Sequence, residues 1–299
     1  MVIHETKGDK AFGVVNTILL TIVLLIFAYP MWFVVIASIS NPDLINSGQV
    51  ILWPKGIMWN GYQAVFRNDD IGRGYLNTII YTTFGTLLDL VVTLPAAYAL
   101  SRKDFVGRNV ITKIFMITMF FGGGMIPSYL VVQRLGLLNN PMVMIILGAT
   151  GMFDIIMCRT FFDSSIPGEL QDAAQIDGCS NLQLFTKIVL PLSKPIIAVM
   201  VLMFAVTHWN SYFSAMLYIT NSDLKPLQLV LQNILIQSAQ MTKMLDTMPT
   251  DPGQVAAFQN TKQLVQFASI IVSSLPVMCL YPLVQKYFVK GLMIGSVKG

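Results

Sequence analysis

The stretch Ala11–Pro42, AFGVVNTILLTIVLLIFAYPMWFVVIASISNP, contains no Asp, Glu, Lys or Arg. A helix rises about 1.5 Å per residue, so about 20 such residues cross the hydrocarbon layer of a bilayer. This run is longer than that. Lys7 and Lys10 precede it, as basic residues precede a secretory signal, but signal cores run only about 7 to 15 residues. The stretch is therefore read as a retained first transmembrane helix, with Pro30 as a kink inside it.

The rest of the chain repeats the pattern. Of 299 residues, 55% are hydrophobic and only 11% charged, against about 25% charged in an average soluble domain. Further apolar segments run approximately over Leu76–Leu100, Val110–Val132, Pro141–Phe162, Ile188–Leu217 and Leu264–Phe288. The expected fold is an all-α integral membrane protein with about six transmembrane helices. No strand alternation points to a β-barrel, and neither half repeats the other, which argues against an inverted-repeat secondary transporter.

Charge placement sets the orientation. With the N-terminus in the cytoplasm, twelve of the 19 Lys and Arg residues fall inside, and the short turn Ser101-Arg102-Lys103-Asp104-Phe105-Val106-Gly107-Arg108 carries the strongest vote. Both termini are then cytoplasmic (N-in/C-in). This placement explains the net charge of +4 without a nucleic-acid partner, for which no basic cluster exists. Cys158, Cys179 and Cys279 show no metal-site or disulfide spacing. The expected organisation is a first helix and external loop over 1–75, a transmembrane core over 76–290, and a cytoplasmic tail over 291–299.

Between the fourth and fifth spans lies Ser164-Ser165-Ile166-Pro167-Gly168-Glu169-Leu170-Gln171-Asp172-Ala173-Ala174-Gln175-Ile176-Asp177-Gly178. Its chemistry predicts a short helix near 166–178, capped by Ser165, with Pro167 and Glu169 in its first turn and Gly178 as a left-handed stop. About ten residues reach only about 15 Å, too short to span a bilayer. A helix lying on the lipid surface would carry a basic polar face, whereas no Lys or Arg occurs from Thr160 to Thr186. Leu170, Ala173, Ala174 and Ile176 with acidic neighbours suit docking into a protein groove.

This segment, continued by Ile188-Val189-Leu190-Pro191, resembles the EAA loop of binding-protein-dependent ABC importer permeases. Asp172-Ala173-Ala174, Gly178 and the Ile-x-Leu-Pro run match that pattern, with Asp172 one methylene shorter than the usual Glu. Trp59–Phe66, Ala96–Arg102 and Tyr287–Leu292 are similar to an external loop, a helix end and the tail of the carbohydrate (maltose-permease-like) subfamily. Gly122–Pro127 and Leu135–Asn139 resemble its branch for complex, sometimes acidic, oligosaccharides.

The resemblance implies a type I ABC importer permease fold in a bacterial cell membrane. It implies partners as well: a second homologous permease, two ATPase subunits that bind ATP and Mg, an extracytoplasmic sugar-binding protein, the oligosaccharide and membrane lipid. The chain itself has no GxxxxGK[ST] cradle and is expected to hold no cofactor or metal and to catalyse nothing. Glu169, Asp172, Ala173, Ala174, Asp177 and Gly178 are the expected ATPase-coupling residues. Asn77, Asp154, His208, Trp209, Asn210 and Tyr212 are candidates for the translocation path, since polar groups inside spans are expensive in lipid; Asp89 in the second span is polar glue or a sugar contact on the same ground. The Gly122–Gly124 triplet is a hinge or a close helix contact. The long segment from Thr220 to Lys262 is expected to be an external loop touching the binding protein through Thr247, Pro249, Asp251, Pro252 and Gly253. The competing readings are a secondary transporter or channel without ATPase partners and a membrane-embedded enzyme; the latter finds no catalytic motif.

Overall fold

The computed structural model describes residues 6–247 and 252–296, and all regular structure among them is helical. The chain packs as two compact units that interleave in sequence: the residues up to Asn68 with Asn233–Ser274, and Asp69–Gln232 with the residues from Leu275 onward.

In the first unit, α1 spans Lys7–Ala37 and opens on a reciprocal capping box between Thr6 and Asp9. It runs through Pro30 and has no buried residue before Ile36 and Ala37. Two short helices follow. α2 (Pro42–Asn46) is capped by the Asn41 side chain, and α3 is Asn60–Phe66. The expected external loop is thus partly helical.

In the second unit, α4 (Asp69–Ser101) starts about two turns earlier than the predicted span. Its buried positions include Thr78, Thr82, Gly85, Thr86, Asp89 and Thr93. Their spacing of three or four places them on one side of the helix, so the polar residues of this span face protein. α5 (Arg108–Phe120) and α6 (Met125–Arg134) meet at 112°. The bend falls on Gly122–Gly124; Gly124 has φ of 84°, and a Cβ on Gly122 or Gly124 would meet nothing within 4 Å. The triplet therefore makes the turn and brings no helix close.

The fourth predicted span is divided. α7 is Met142–Ile146 and α8 Met152–Ser165, and neither is long enough to cross a bilayer alone. α9 (Gly168–Ile176) and α10 (Asn181–Leu184) follow, then a π-helical turn Phe185–Val189 and α11 (Leu190–Leu192). α12 (Lys194–Trp209) leaves α10–α11 at 82° and is succeeded by α13 (Tyr212–Tyr218), so the fifth predicted span is also broken. Pro191 and Pro195, near this break, lack the amide protons that would carry a straight helix through it.

The segment expected as a polar loop from Thr220 to Lys262 is corrected. It holds a 3-10 turn at Ser222–Leu224, then α14 (Leu227–Thr247) and the start of α15 (Pro252–Ser296). The 291–299 tail continues α15 as far as Ser296. Among the described residues, α1, α4 and the Ala257–Pro282 part of α15 are long and apolar enough to cross a membrane, or five spans if each bent pair counts as one.

The larger core of the second unit gathers Tyr98, Phe162, Ile166, Ala174, Phe185, Val189, Met200 and Phe204 among others. Tyr98 stacks on Phe185 at 5.1 Å between ring centres and meets Phe162 edge-on. A second cluster joins Tyr81, Val132, Val143, Ala215 and Tyr218.

Candidate functional site

Two places in the second unit concentrate the polar residues named above. The first is α9. Ser165 ends α8 instead of capping α9, and the entry turn is closed by the Leu170 N–H donating to the Pro167 carbonyl at 3.2 Å. At the exit, Gly178 takes φ of 72° and the Cys179 N–H reaches back to the Ala174 carbonyl at 2.9 Å. That six-to-one bond is the Schellman stop, which a β-branched residue at Gly178 would strain.

The helix has two unlike sides. Ala174 is 5% exposed and packs into the core with Phe162, Ile166 and Phe185. It is therefore a fastening point of this chain, and the expectation that it lies open to a groove is corrected. Glu169, Asp172, Ala173, Asp177 and Gly178 are exposed, and Ile176 is 87% exposed. Beside them Arg102 donates to both Asp104 carboxylate oxygens, at 2.7 and 2.6 Å, and to the Tyr98 hydroxyl at 3.2 Å. The guanidinium holds the Asp104 carboxyl below its ordinary range and is itself made harder to deprotonate, chiefly by that carboxylate. Arg102, Lys103, Asp163, Gln171 and Asp172 line a polar cavity of about 430 Å³ that joins this turn to α9.

The second place is the C-terminal end of α12. His208 Nε2 lies 2.9 Å from Asp89 Oδ2, both residues buried. Gly85, one turn before Asp89, makes room: a Cβ there would stand 2.4 Å from His208 Cε1. Asp89 Oδ1 and the Thr82 and Thr86 hydroxyls have no hydrogen-bond partner among the described residues. His208, Thr207, Asn210 and Ser211, with Met144 and Phe213, line a cavity of about 260 Å³.

Of the six path candidates, only His208 and Asn210 share that cavity. Trp209 is buried and meets Tyr75 edge-to-face at 5.8 Å. Tyr212 donates to Met216 Sδ. Asn77 donates to the Asp223 and Lys225 carbonyls at 2.8 and 3.1 Å and thereby holds the 3-10 turn, beside the Arg73–Asp223 ion pair. Asp154 sits in the first turn of α8, against Gly151. Sequence reasoning missed the Asp89–His208 pairing, although two ionisable residues in apolar spans were a usable signal. It missed Gly85 too. Thr247 ends α14 and Pro252 opens α15, Gly253 is exposed on α15, and Pro249 and Asp251 lie outside the described residues. Among the described residues no group of His, Cys, Asp and Glu is arranged to hold a metal.

No family model matches the chain. Protein LplC of Bacillus subtilis is 37% identical over 299 residues, covering 99% of this chain and 98% of that one. The polygalacturonan/rhamnogalacturonan transport system permease protein YtcP of the same organism is 38% identical over 275 residues, 92% of this chain and 94% of its own. The crystal structure of a bacterial ABC transporter involved in the import of the acidic polysaccharide alginate matches with a TM-score of 0.81 at 36% identity, covering 95% of this chain and 99% of that chain. These likenesses decide against a secondary transporter or a membrane enzyme. A multi-pass protein of the cell membrane and a transport subunit, not an enzyme, this chain belongs to the permease subunits of binding-protein-dependent ABC sugar importers.

Proposed function

We propose that the chain forms half of the route for an oligosaccharide, and that its α9 is received by an ATPase subunit. A permease of this family works with a partner permease, ATPases and a binding protein; the finer assignment here is two ATPases carrying ATP and Mg, a second homologous permease, and both termini in the cytoplasm. The observation that carries the reading is the two-sidedness of α9. Its acidic residues and Ile176 face outward while Ala174 is locked into a core that also holds Ile196, Met200 and Phe204 of α12. A push on α9 is then delivered through packed side chains to the helix whose last turn carries His208, the kind of rigid-element linkage by which closure at one site moves another.

The cavity beside His208 offers imidazole, amide and hydroxyl groups with apolar walls and no carboxylate, a lining suited to a sugar and compatible with an anionic one. The names of the relatives that handle pectic material and alginate favour an acidic oligosaccharide. Thr247, Pro252 and exposed Gly253, with Pro249 and Asp251, are assigned to contact with the binding protein.

Asp172→Lys and Ile176→Asp test the α9 assignment, because both sit outside the spans and leave insertion intact. Uptake and sugar-stimulated ATP hydrolysis are expected to fall together in the co-purified complex, and wild-type values for both variants would overturn the assignment. Ala174→Trp, by contrast, is expected to lower the folded yield, since it overfills the chain's own core.

A further inference from the structure

Between α2 and α3 the chain makes an excursion whose geometry is unusually well fixed. The Asn41 N–H donates to the Lys55 carbonyl and the Met58 N–H to the Ile39 carbonyl, both at 2.9 Å, and the Lys55 N–H reaches Ser40 Oγ at 3.2 Å. Residues 55–58 are thereby pinned to 39–41. What lies between bulges back along α1: the Trp32 indole N–H donates to the Leu52 carbonyl at 2.9 Å, and Trp53 meets Trp32 edge-on at 6.4 Å. Val50 is buried, yet Ile51, Leu52 and Trp53 are exposed, Trp53 by 72%.

The depth of this bulge can be counted along α1. From Ala11, where the uncharged run begins, to Trp32 is about 32 Å of helix, the thickness of a hydrocarbon layer. Trp32 thus stands at the boundary between acyl chains and headgroups, where indoles concentrate. Four and five residues beyond it, at Ile36 and Ala37, α1 becomes buried in protein. The Leu52 carbonyl bonded to Trp32 is at the same level, so Ile51, Leu52 and Trp53 cannot project into bulk water as an ordinary loop tip would. The bond also satisfies an indole N–H and a carbonyl where water is scarce.

We infer that the 50–53 bulge, with Trp32, is a lipid-binding anchor: it inserts its apolar side chains into the leaflet at the C-terminal end of α1 and fixes the height of that helix in the bilayer. The surface takes acyl chains and glycerol backbones, not a protein, because residues 44–54 carry no charge and the nearest charged residue, Lys55, lies at the pinned end, and because its apolar face continues that of a helix exposed up to this level. The inference is independent of the coupling role of α9.

The test places an environment-sensitive fluorophore on Ile51→Cys or Leu52→Cys, with Gln49→Cys and Lys55→Cys as controls. Exposed Cys279 and half-buried Cys179 are changed to Ser, and buried Cys158 is left in place. In the assembled transporter reconstituted in phosphatidylcholine–phosphatidylglycerol vesicles, nitroxide-bearing lipids are expected to quench labels at 51 and 52 about twofold or more over labels at 49 and 55, with iodide showing the reverse order. Labels at 51 and 52 quenched by iodide, as at 55, would overturn the inference. Protection from both quenchers would overturn it equally, by showing a protein partner on the surface.

Discussion

α1 and α4 are of nearly equal length, 31 and 33 residues, and both cross the membrane, yet they are built on opposite plans. α1 exposes its apolar side chains on every side until its last turns. α4 buries a row of threonines, a glycine and an aspartate along one side and turns Leu76, Phe84, Leu87 and Val91 outward. In water the apolar stripe of a helix marks the core, whereas in a bilayer lipid is as apolar as any core, and the polar residues show which side meets protein. For α4 that side leads to His208. For α1 hydropathy alone shows only that it spans.

The contrast is sharpest at Asp89. Asp89→Leu leaves His208 buried beside a group that cannot bond it, and a loss of about 3 to 5 kcal/mol is expected, read as a fall in the melting temperature of the detergent-solubilised complex; Asp89→Asn keeps a hydrogen bond and is expected to cost about 1 kcal/mol. If Leu proved as stable as Asn, the pair would not organise α4. The mirror experiment is Leu24→Arg on α1, expected to cost about 2.5 to 3.5 kcal/mol of insertion and to appear as reduced membrane yield, whereas Leu24→Ala changes little. Normal yield for the arginine variant would mean that this position of α1 faces protein or water.

Much of this architecture could be read from residue order, but unevenly. The apolar runs that form α1, α4 and the middle of α15 are long and simple, so length and hydropathy suffice. The same measure merges α7 with α8, and α11 with α12 and α13, because it averages over breaks made by a few residues. Gly122–Gly124 shows the ambiguity well: a glycine suits both an open turn and a crowded crossing, and only the empty space around its missing Cβ tells them apart. Gly85 is the opposite case, filled by the His208 ring. The α14 region is expected as a loop because its apolar part, Leu227–Gln237, is shorter than a bilayer crossing, although a helix that need not cross lipid can be short. In α9, the stop at Gly178 was legible from local chemistry, but the direction in which Ala174 points depends on the rest of the fold.

Two smaller effects refine the picture. Thr82→Val removes a hydroxyl that has no partner among the described residues while keeping its shape, so stability is expected to stay within about 0.5 kcal/mol of wild type or to rise. A loss well above that would show that the hydroxyl is bonded in the assembled transporter. The turn after α4 provides the smallest. The Asp104 carboxyl is held below its usual value by Arg102, so its contribution to stability is complete above the unfolded pKa of about 3.9 and is lost as pH falls through the lowered native value. Asp104 is 61% exposed, and with solvent screening the effect amounts to a few tenths of a kcal/mol. Comparing wild type with Asp104→Asn in acid melts should show the difference close below about pH 4; a difference that persisted there would detach the pair from the turn.

The π turn at Phe185–Val189, just before Pro191 and the 82° bend, has a mechanical meaning. A π turn winds roughly one more residue into each revolution than an α turn does, so the side chains that follow it are rotated about the helix axis relative to those before it. The Phe185–Val189 turn is, in that sense, a shift of phase written into the chain between α10 and the bend into α12.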